Sequence, residues 1–194
     1  MSKTIYLVGI SGSLRQKSYN TSLLKAAQEV LPEGVSMEIA HYAQVPVYNA
    51  DLDMPTASER PEEVQAFRKI LASADGFVIA SPEYNYGIPG VLKNAIDWAS
   101  RGKDSPLLGK PVALMGATPG MWGTARMQQT FLPLFQYLNM KPVYKPEILV
   151  AQAKQKFDEN GRLTDEDTRE FLRQKMEALQ QMVLQTAKAA DHKE

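Results

Sequence analysis

The sequence predicts a doubly wound α/β fold, with one five-stranded parallel sheet in the order 2-1-3-4-5 and helices on both faces. Three observations predict it. Strand-length apolar runs alternate with longer segments whose apolar residues recur at helical spacing. Three of the runs are continuously apolar, as buried central strands are, whereas the second and fifth carry the marks of sheet edges. The chain of 194 residues fits a single domain, 1–194, with a sizeable core.

The elements follow in order. Ile5 to Ile10 reads as a buried first strand, and Leu23, Leu24, Ala27, Val30 and Leu31 as the apolar stripe of the helix after it. From Val35 to Ala40, Val35, Met37 and Ile39 alternate with Ser36 and Glu38, the period of a strand with one polar face. Tyr42 to Thr56 holds Pro46 and Pro55 and reads as a loop. A helix begins near Pro61, with Glu62 and Glu63 favourable to its dipole and Val64, Phe67, Leu71 and Ala74 on its buried face. Gly76 to Ser81 is a central strand, Pro82 to Gly90 a loop, and Val91 to Ser100 a helix. Pro111 to Ala117 is the fourth strand and Thr118 to Gly123 a Gly- and Pro-containing loop. Thr124 to Asn139 is expected to be one helix kinked at Pro133. The last strand, Val143 to Val150, has Pro142 and Pro146 beside or within it; proline removes a ladder donor, which puts the strand at an edge. Thr164 followed by Asp165, Glu166 and Asp167 announces the final helix, whose apolar face runs through Phe171, Leu172, Met176, Leu179, Met182, Val183 and Ala187. Its methionines are expected to fill the core.

In a parallel sheet of this order the carboxyl ends of strands one, three and four share a rim, and ligands bind where the order reverses, between strands one and three. The first loop there, Gly12-Ser13-Leu14-Arg15-Gln16-Lys17-Ser18-Tyr19-Asn20, is small, hydroxyl-rich and cationic, and it opens a helix. A helix start points N–H groups and positive dipole at an anion; Ser13, Ser18 and Asn20 add donors, and Arg15 adds a fork that matches phosphate oxygens. The second loop, Pro82-Glu83-Tyr84-Asn85-Tyr86-Gly87-Ile88-Pro89-Gly90, has a backbone shaped by proline and glycine and offers flat apolar surface. The third, Thr118-Pro119-Gly120-Met121-Trp122-Gly123, has the same character. A phosphate site beside two aromatic loops suits a planar heterocycle with one phosphate tail. FMN fits better than a dinucleotide, since there is no Gly-x-Gly-x-x-Gly and no clear acidic ribose clamp. Taken singly, each residue has a plainer reading: Tyr84 and Tyr86 as surface or dimer-contact residues, Trp122 as a packing anchor, Glu83 as a solvated acid, Trp98 as core or subunit interface. Their gathering on three adjacent loops favours the site.

Composition narrows the classes. Lys plus Arg is 22 and Asp plus Glu is 22, so the formal charge of +0 points to neither nucleic acid nor a membrane surface. The chain has no cysteine, which excludes disulfides, thiolate metal sites and a cysteine nucleophile. With two histidines, His41 and the tail residue His192, no metal site is expected, and His192 is expected to be solvated. The apolar run after Met1-Ser2-Lys3-Thr4 is too short for a signal sequence and no run is long enough to span a bilayer, so a soluble cytoplasmic protein is expected.

Gly12-Ser13-Leu14-Arg15 with Ser18 and Asn20, then Pro82-Glu83-Tyr84-Asn85, then Gly90-Val91-Leu92-Lys93-Asn94-Ala95-Ile96-Asp97-Trp98 resemble the NADPH-dependent FMN reductase family, in the branch of chromate and quinone reductases and azoreductases. The resemblance runs from about Ile5 through Val150 and implies a flavodoxin-like fold. It implies that Ser13, Leu14, Arg15, Ser18 and Asn20 bind the FMN phosphate and that Pro82, Glu83, Tyr84 and Asn85 lie along the isoalloxazine ring. Ala117, Thr118 and Gly120 would touch the same cofactor; some relatives carry serine at Ala117, so contact there is expected through the backbone. It further implies a ping-pong cycle, in which NADPH or NADH delivers hydride to the flavin and leaves before a small-molecule acceptor takes its place. No catalytic side chain is expected, because the flavin carries the chemistry; Tyr84 or Asn85 would shape the acceptor pocket. Relatives are homodimers or homotetramers, with Tyr86, Trp98, Arg126 and Glu147 as candidate contacts here. The competing readings are a flavodoxin-like electron carrier, which the neutral charge disfavours, and a cofactor-free domain on the same architecture.

Overall fold

Leu7 packs into one core of the molecule while its neighbour Val8, with Ile10, packs into another. The alternation of side chains along a pleated strand therefore feeds both faces of one sheet. The computed structural model describes residues 4–53 and 59–191. His192, together with Pro55 and Thr56 of the predicted loop, lies outside the described residues. The strands β1 (Ile5–Ser11), β2 (Val35–Ile39), β3 (Gly76–Ala80), β4 (Pro111–Ala117) and β5 (Lys141–Val150) pair in parallel in the order β2-β1-β3-β4-β5. This is the predicted order, with boundaries shifted by a residue or two.

The helices are α1 (Tyr19–Glu29), α2 (Glu62–Ala72), α3 (Gly90–Ala99), α4 (Ala125–Thr130), α5 (Leu132–Tyr137) and α6 (Glu166–Asp191). Leu23 and Leu24 of α1 share the first core with Leu172, Met176, Leu179 and Val183 of α6. Phe67 and Leu71 of α2, Leu92 and Ile96 of α3, Met127 of α4 and Phe135 of α5 build the second core. The methionines Met176 and Met182 are core filler, as expected. No helix among the described residues is long and apolar enough to cross a membrane.

Both predicted edges are edges, for the reasons read from sequence. In β2 only Met37 is buried. In β5 the ladder to β4 breaks between Val143, opposite Ala113, and Ile148, opposite Met115, so Tyr144 to Glu147 bulge out around Pro146. The buried Lys175 of α6 fills the gap, donating to the carbonyls of Val143 and Pro146 (2.9 Å to the latter). Burial pushes its amine down to about 8.

Two expectations need correction, and one feature was not anticipated. The helix expected over Thr124 to Asn139 is two helices meeting at Phe131, because Pro133 enters at the start of α5, where its missing N–H costs nothing. Thr164 does not cap α6: Asp165 accepts the Thr168 N–H at 2.9 Å, and the Thr164 hydroxyl donates to the Lys156 carbonyl. Between β5 and α6, an unpredicted 3-10 turn at Ala153–Gln155 and a bridge from Phe157 to Leu163 pack Phe157 on Tyr19, ring centroids 5.4 Å apart.

Candidate cofactor site

The first loop leaves β1 at Ser11, held on one side by the Gly12 N–H to Ala80 carbonyl bond of 2.7 Å. Gly12 permits this approach: a Cβ there would lie 2.5 Å from the Ser81 hydroxyl oxygen. The Ser11 hydroxyl donates to the Ser13 carbonyl (3.1 Å) and pairs with the Thr21 hydroxyl (2.8 Å). Ser18 is the N-cap of α1; its side-chain oxygen accepts from the N–H groups of Asn20 (3.2 Å) and Thr21 (3.4 Å). Ser13 Oγ accepts from the Arg15 N–H at 3.3 Å. With their acceptor sides occupied, the hydroxyls of Ser13 and Ser18 keep O–H donors for which the described residues supply no acceptor.

Arg15 and Lys17 stand exposed on this loop, and neither makes an ion pair with a described residue; the Arg15 guanidinium lies 5.7 Å from the Tyr19 ring centroid. Ser13 and Arg15 line a cleft of about 230 Å³ together with Ser11, Leu14 and Tyr42, while Ser18 caps the helix start at the end of the same loop and Lys17 faces a separate hollow beside Lys25 and Asp158. This donor set fits the dianionic tail of FMN.

Asn20 is placed differently from Arg15. It is 3% exposed, and its amide grips the end of β4: Nδ2 donates to the Ala117 carbonyl (3.0 Å) and Oδ1 accepts the Ala117 N–H (2.8 Å). It thereby ties the phosphate loop to the third loop. Ala117 is buried, and this bond engages both its backbone groups, whereas Thr118 is half-buried and Gly120 exposed beside it. The Gly120 N–H donates to the Thr118 hydroxyl (3.2 Å), and the two carbonyls accept from Ala153 and Gln152.

The second loop is a tight turn. Tyr84 and Gly87 exchange both backbone hydrogen bonds, and the residues between them, Asn85 (φ 50) and Tyr86 (φ 64), are both left-handed. Glycine and asparagine favour that conformation; a tyrosine there is strained. Pro82 is buried, and Tyr84, Asn85 and Tyr86 stand exposed. Glu83 turns away from solvent and caps a neighbouring helix: its carboxylate accepts the Met127 N–H of α4 at 3.0 Å, and its other oxygen lies 3.7 Å from the Arg126 guanidinium. Thr124, left-handed at φ 69, gives α4 no side-chain cap of its own. Arg126 in turn lies 4.3 Å from the Tyr86 ring centroid and 5.0 Å from that of Trp122, so it joins the second loop to the third.

Trp98 is core, one of its two expected places, and the subunit-contact reading is corrected. It is 0% exposed, its indole N–H donates to the Pro46 carbonyl at 2.8 Å, and it cannot serve as a subunit contact. Asn94 helps it pin the same segment, donating to Pro46 and accepting from the Tyr48 N–H. Tyr86, Arg126 and Glu147 do reach the surface. Sequence reasoning missed Ser11, Thr21 and Tyr42. The first two carried a signal, as hydroxyls flanking the loop. Tyr42, buried with its hydroxyl donating to the Ser11 carbonyl, carried none. Burial pushes the Tyr42 phenol well above its ordinary range, so it stays a proton donor.

The chain is similar to known flavin and quinone reductases. An NAD(P)H-dependent FMN reductase of Pseudomonas aeruginosa is 44% identical over 180 residues, covering 93% of this chain and 96% of its own. A 2-hydroxy-1,4-benzoquinone reductase of a Burkholderia species is 38% identical over 164 residues, covering 84% and 87%. The flavoenzyme NAD(P)H:(acceptor) oxidoreductase of Paracoccus denitrificans superposes with a TM-score of 0.82 at 29% identity, covering 94% of this chain and 98% of its own. A sequence profile of NADPH-dependent FMN reductases matches residues 5–155, from the first strand through the turn after the last, and the chain belongs to that family.

Proposed function

We propose that this chain is an FMN-dependent oxidoreductase that passes reducing equivalents from NADPH or NADH to a quinone, or to a related acceptor such as an azo compound or chromate, in a ping-pong cycle. One observation carries the reading: Ser13, whose hydroxyl keeps a donor without an acceptor among the described residues, and Arg15, which pairs with no described carboxylate, line one cleft on the loop after β1, and the exposed Tyr84 and Tyr86 stand on the loop after the neighbouring β3. When bound, FMN supplies the two-electron chemistry. The protein's residues bind and orient. Ser13, Arg15 and Ser18 hold the phosphate, with Leu14 beside them, and Asn20 acts through Ala117. Pro82, Tyr84 and Asn85 border the ring, as do Thr118 and Gly120, and Glu83 acts through α4. The exposed Tyr84 and Asn85 shape the space in which nicotinamide and acceptor alternate. No side chain transfers a proton in the hydride step.

The whole chain works as one domain, in the cytoplasm, as a homodimer or homotetramer with Tyr86, Arg126 and Glu147 as candidate contacts. The test is spectroscopic. Purified protein titrated with FMN is expected to bind it stoichiometrically, and reduced nicotinamide to bleach it without air. Addition of a benzoquinone then restores the colour. Protein that takes up no FMN defeats the reading, and bleaching without turnover of the quinone leaves an electron carrier.

A further inference from the structure

The β1–β2 ladder ends at a fixed point. Gly9 pairs with Ile39, and the Gly9 carbonyl accepts the Ala40 N–H at 2.8 Å. Carbonyls two residues apart on a strand point the same way. The Ser11 carbonyl is thus the next acceptor along, and the N–H of residue 42 is the donor a longer β2 would offer. The chain turns away at Ala40, and the Tyr42 side chain supplies the missing donor: its hydroxyl donates to the Ser11 carbonyl. Both residues are buried, and the Tyr42 ring is set by Phe67, centroids 5.7 Å apart. The peptide fixed this way is the one from which the phosphate loop departs. Its N–H, on Gly12, is bonded to Ala80, and the Ser11 hydroxyl is bonded to Ser13 and Thr21. Tyr42 also lines the cleft at Ser13 and Arg15.

We infer that Tyr42 is a positioning residue for the phosphate end of the site, its hydroxyl completing the last rung of the sheet so that Ser13 and Arg15 are aimed before the ligand arrives. The inference rests on the FMN site proposed above. Tyr42 acts through Ser11, so its loss misaims the donors for the ligand's tail and leaves the ring's surroundings as they were.

The experiment compares two ligands that differ only in the phosphate. FMN and riboflavin are titrated into the wild-type protein, into Tyr42→Phe, which keeps the ring, and into Phe67→Leu, which loosens the packing but keeps the hydroxyl. Tyr42→Phe is expected to weaken FMN on the order of tenfold, because it leaves a buried carbonyl without its donor, and to leave riboflavin within about twofold. Phe67→Leu is expected to lower the melting temperature without separating the two ligands. Equal weakening of both ligands by Tyr42→Phe, no change in either, or the same separation in Phe67→Leu overturns the inference. A wild-type protein that binds FMN no better than riboflavin overturns the phosphate site itself.

Discussion

The first and second loops lie side by side on one rim and dispose of their polar groups in opposite ways. The first buries the hydroxyls of Ser13 and Ser18, ties their acceptor sides into the loop, and leaves their O–H donors without an acceptor, and Arg15 and Lys17 without an ion pair, among the described residues. The second spends its carboxylate on a neighbouring helix and turns Tyr84, Asn85 and Tyr86 outward from a strained turn. One half is a set of aimed donors, costly to leave empty and suited to a fixed charge. The other is a shelf of flat surface, tolerant of whatever lies on it. The cycle proposed above, which keeps one ligand and exchanges two others, calls for both kinds of surface.

The comparison is broken most severely by a change that moves both loops together. Ser81 is wedged between them: Gly12 packs on its side chain, and Gly116 of β4 packs on its carbonyl. A Cβ on Gly116 would lie 2.5 Å from that carbonyl oxygen and 2.1 Å from the hydroxyl oxygen of the buried Thr124. Backbone cannot yield as a long side chain can. Gly116→Ala is expected to cost about 3 kcal/mol, the upper range for overpacking. Thermal unfolding should show it as a fall of roughly 6–12 °C.

A smaller change separates the halves. Arg15→Ala removes a charged fork and touches nothing in the second loop. FMN affinity is expected to fall by about 1.5–3 kcal/mol, on the order of 10- to 150-fold, with riboflavin affinity unmoved. Titration of both flavins checks it; unchanged FMN binding removes Arg15 from the phosphate site.

What could be read in advance follows the same divide. The strand order was legible because edges leave local marks, the polar alternation in β2 and the prolines of β5. The Ser18 cap left a local signal, its partners being two and three residues away, but from sequence Ser18 reads only as a donor for an anion. Asn20, Glu83 and Tyr42 were not legible, because their partners lie 97, 44 and 31 residues distant. A residue type at the right place in a motif announces that it is needed, and does not say by whom. Trp98 reads no further than core or subunit interface for the same reason: an aromatic on a helix gives no sign of which carbonyl its N–H will meet, and here that carbonyl belongs to Pro46.

Glu83 supplies the finest test, since it stands in the ring-side motif yet bonds away from the shelf. As the cap of α4, it owes its effect to an acceptor placed at the Met127 N–H. Glu83→Ala removes that acceptor and should destabilise the flavin-free protein by about 1 kcal/mol. Glu83→Gln keeps an amide oxygen in reach and loses only the weak pairing with Arg126, whose side chain is 41% exposed; a loss of about 0.5 kcal/mol or less is expected. Urea unfolding without flavin separates the two variants. A residue that worked by touching the ring would behave otherwise: both substitutions would leave the flavin-free protein equally stable and would appear only as weaker binding. A graded loss of stability from Gln to Ala, present before any cofactor is added, marks a carboxylate whose task is to hold the third loop and Arg126 against the second.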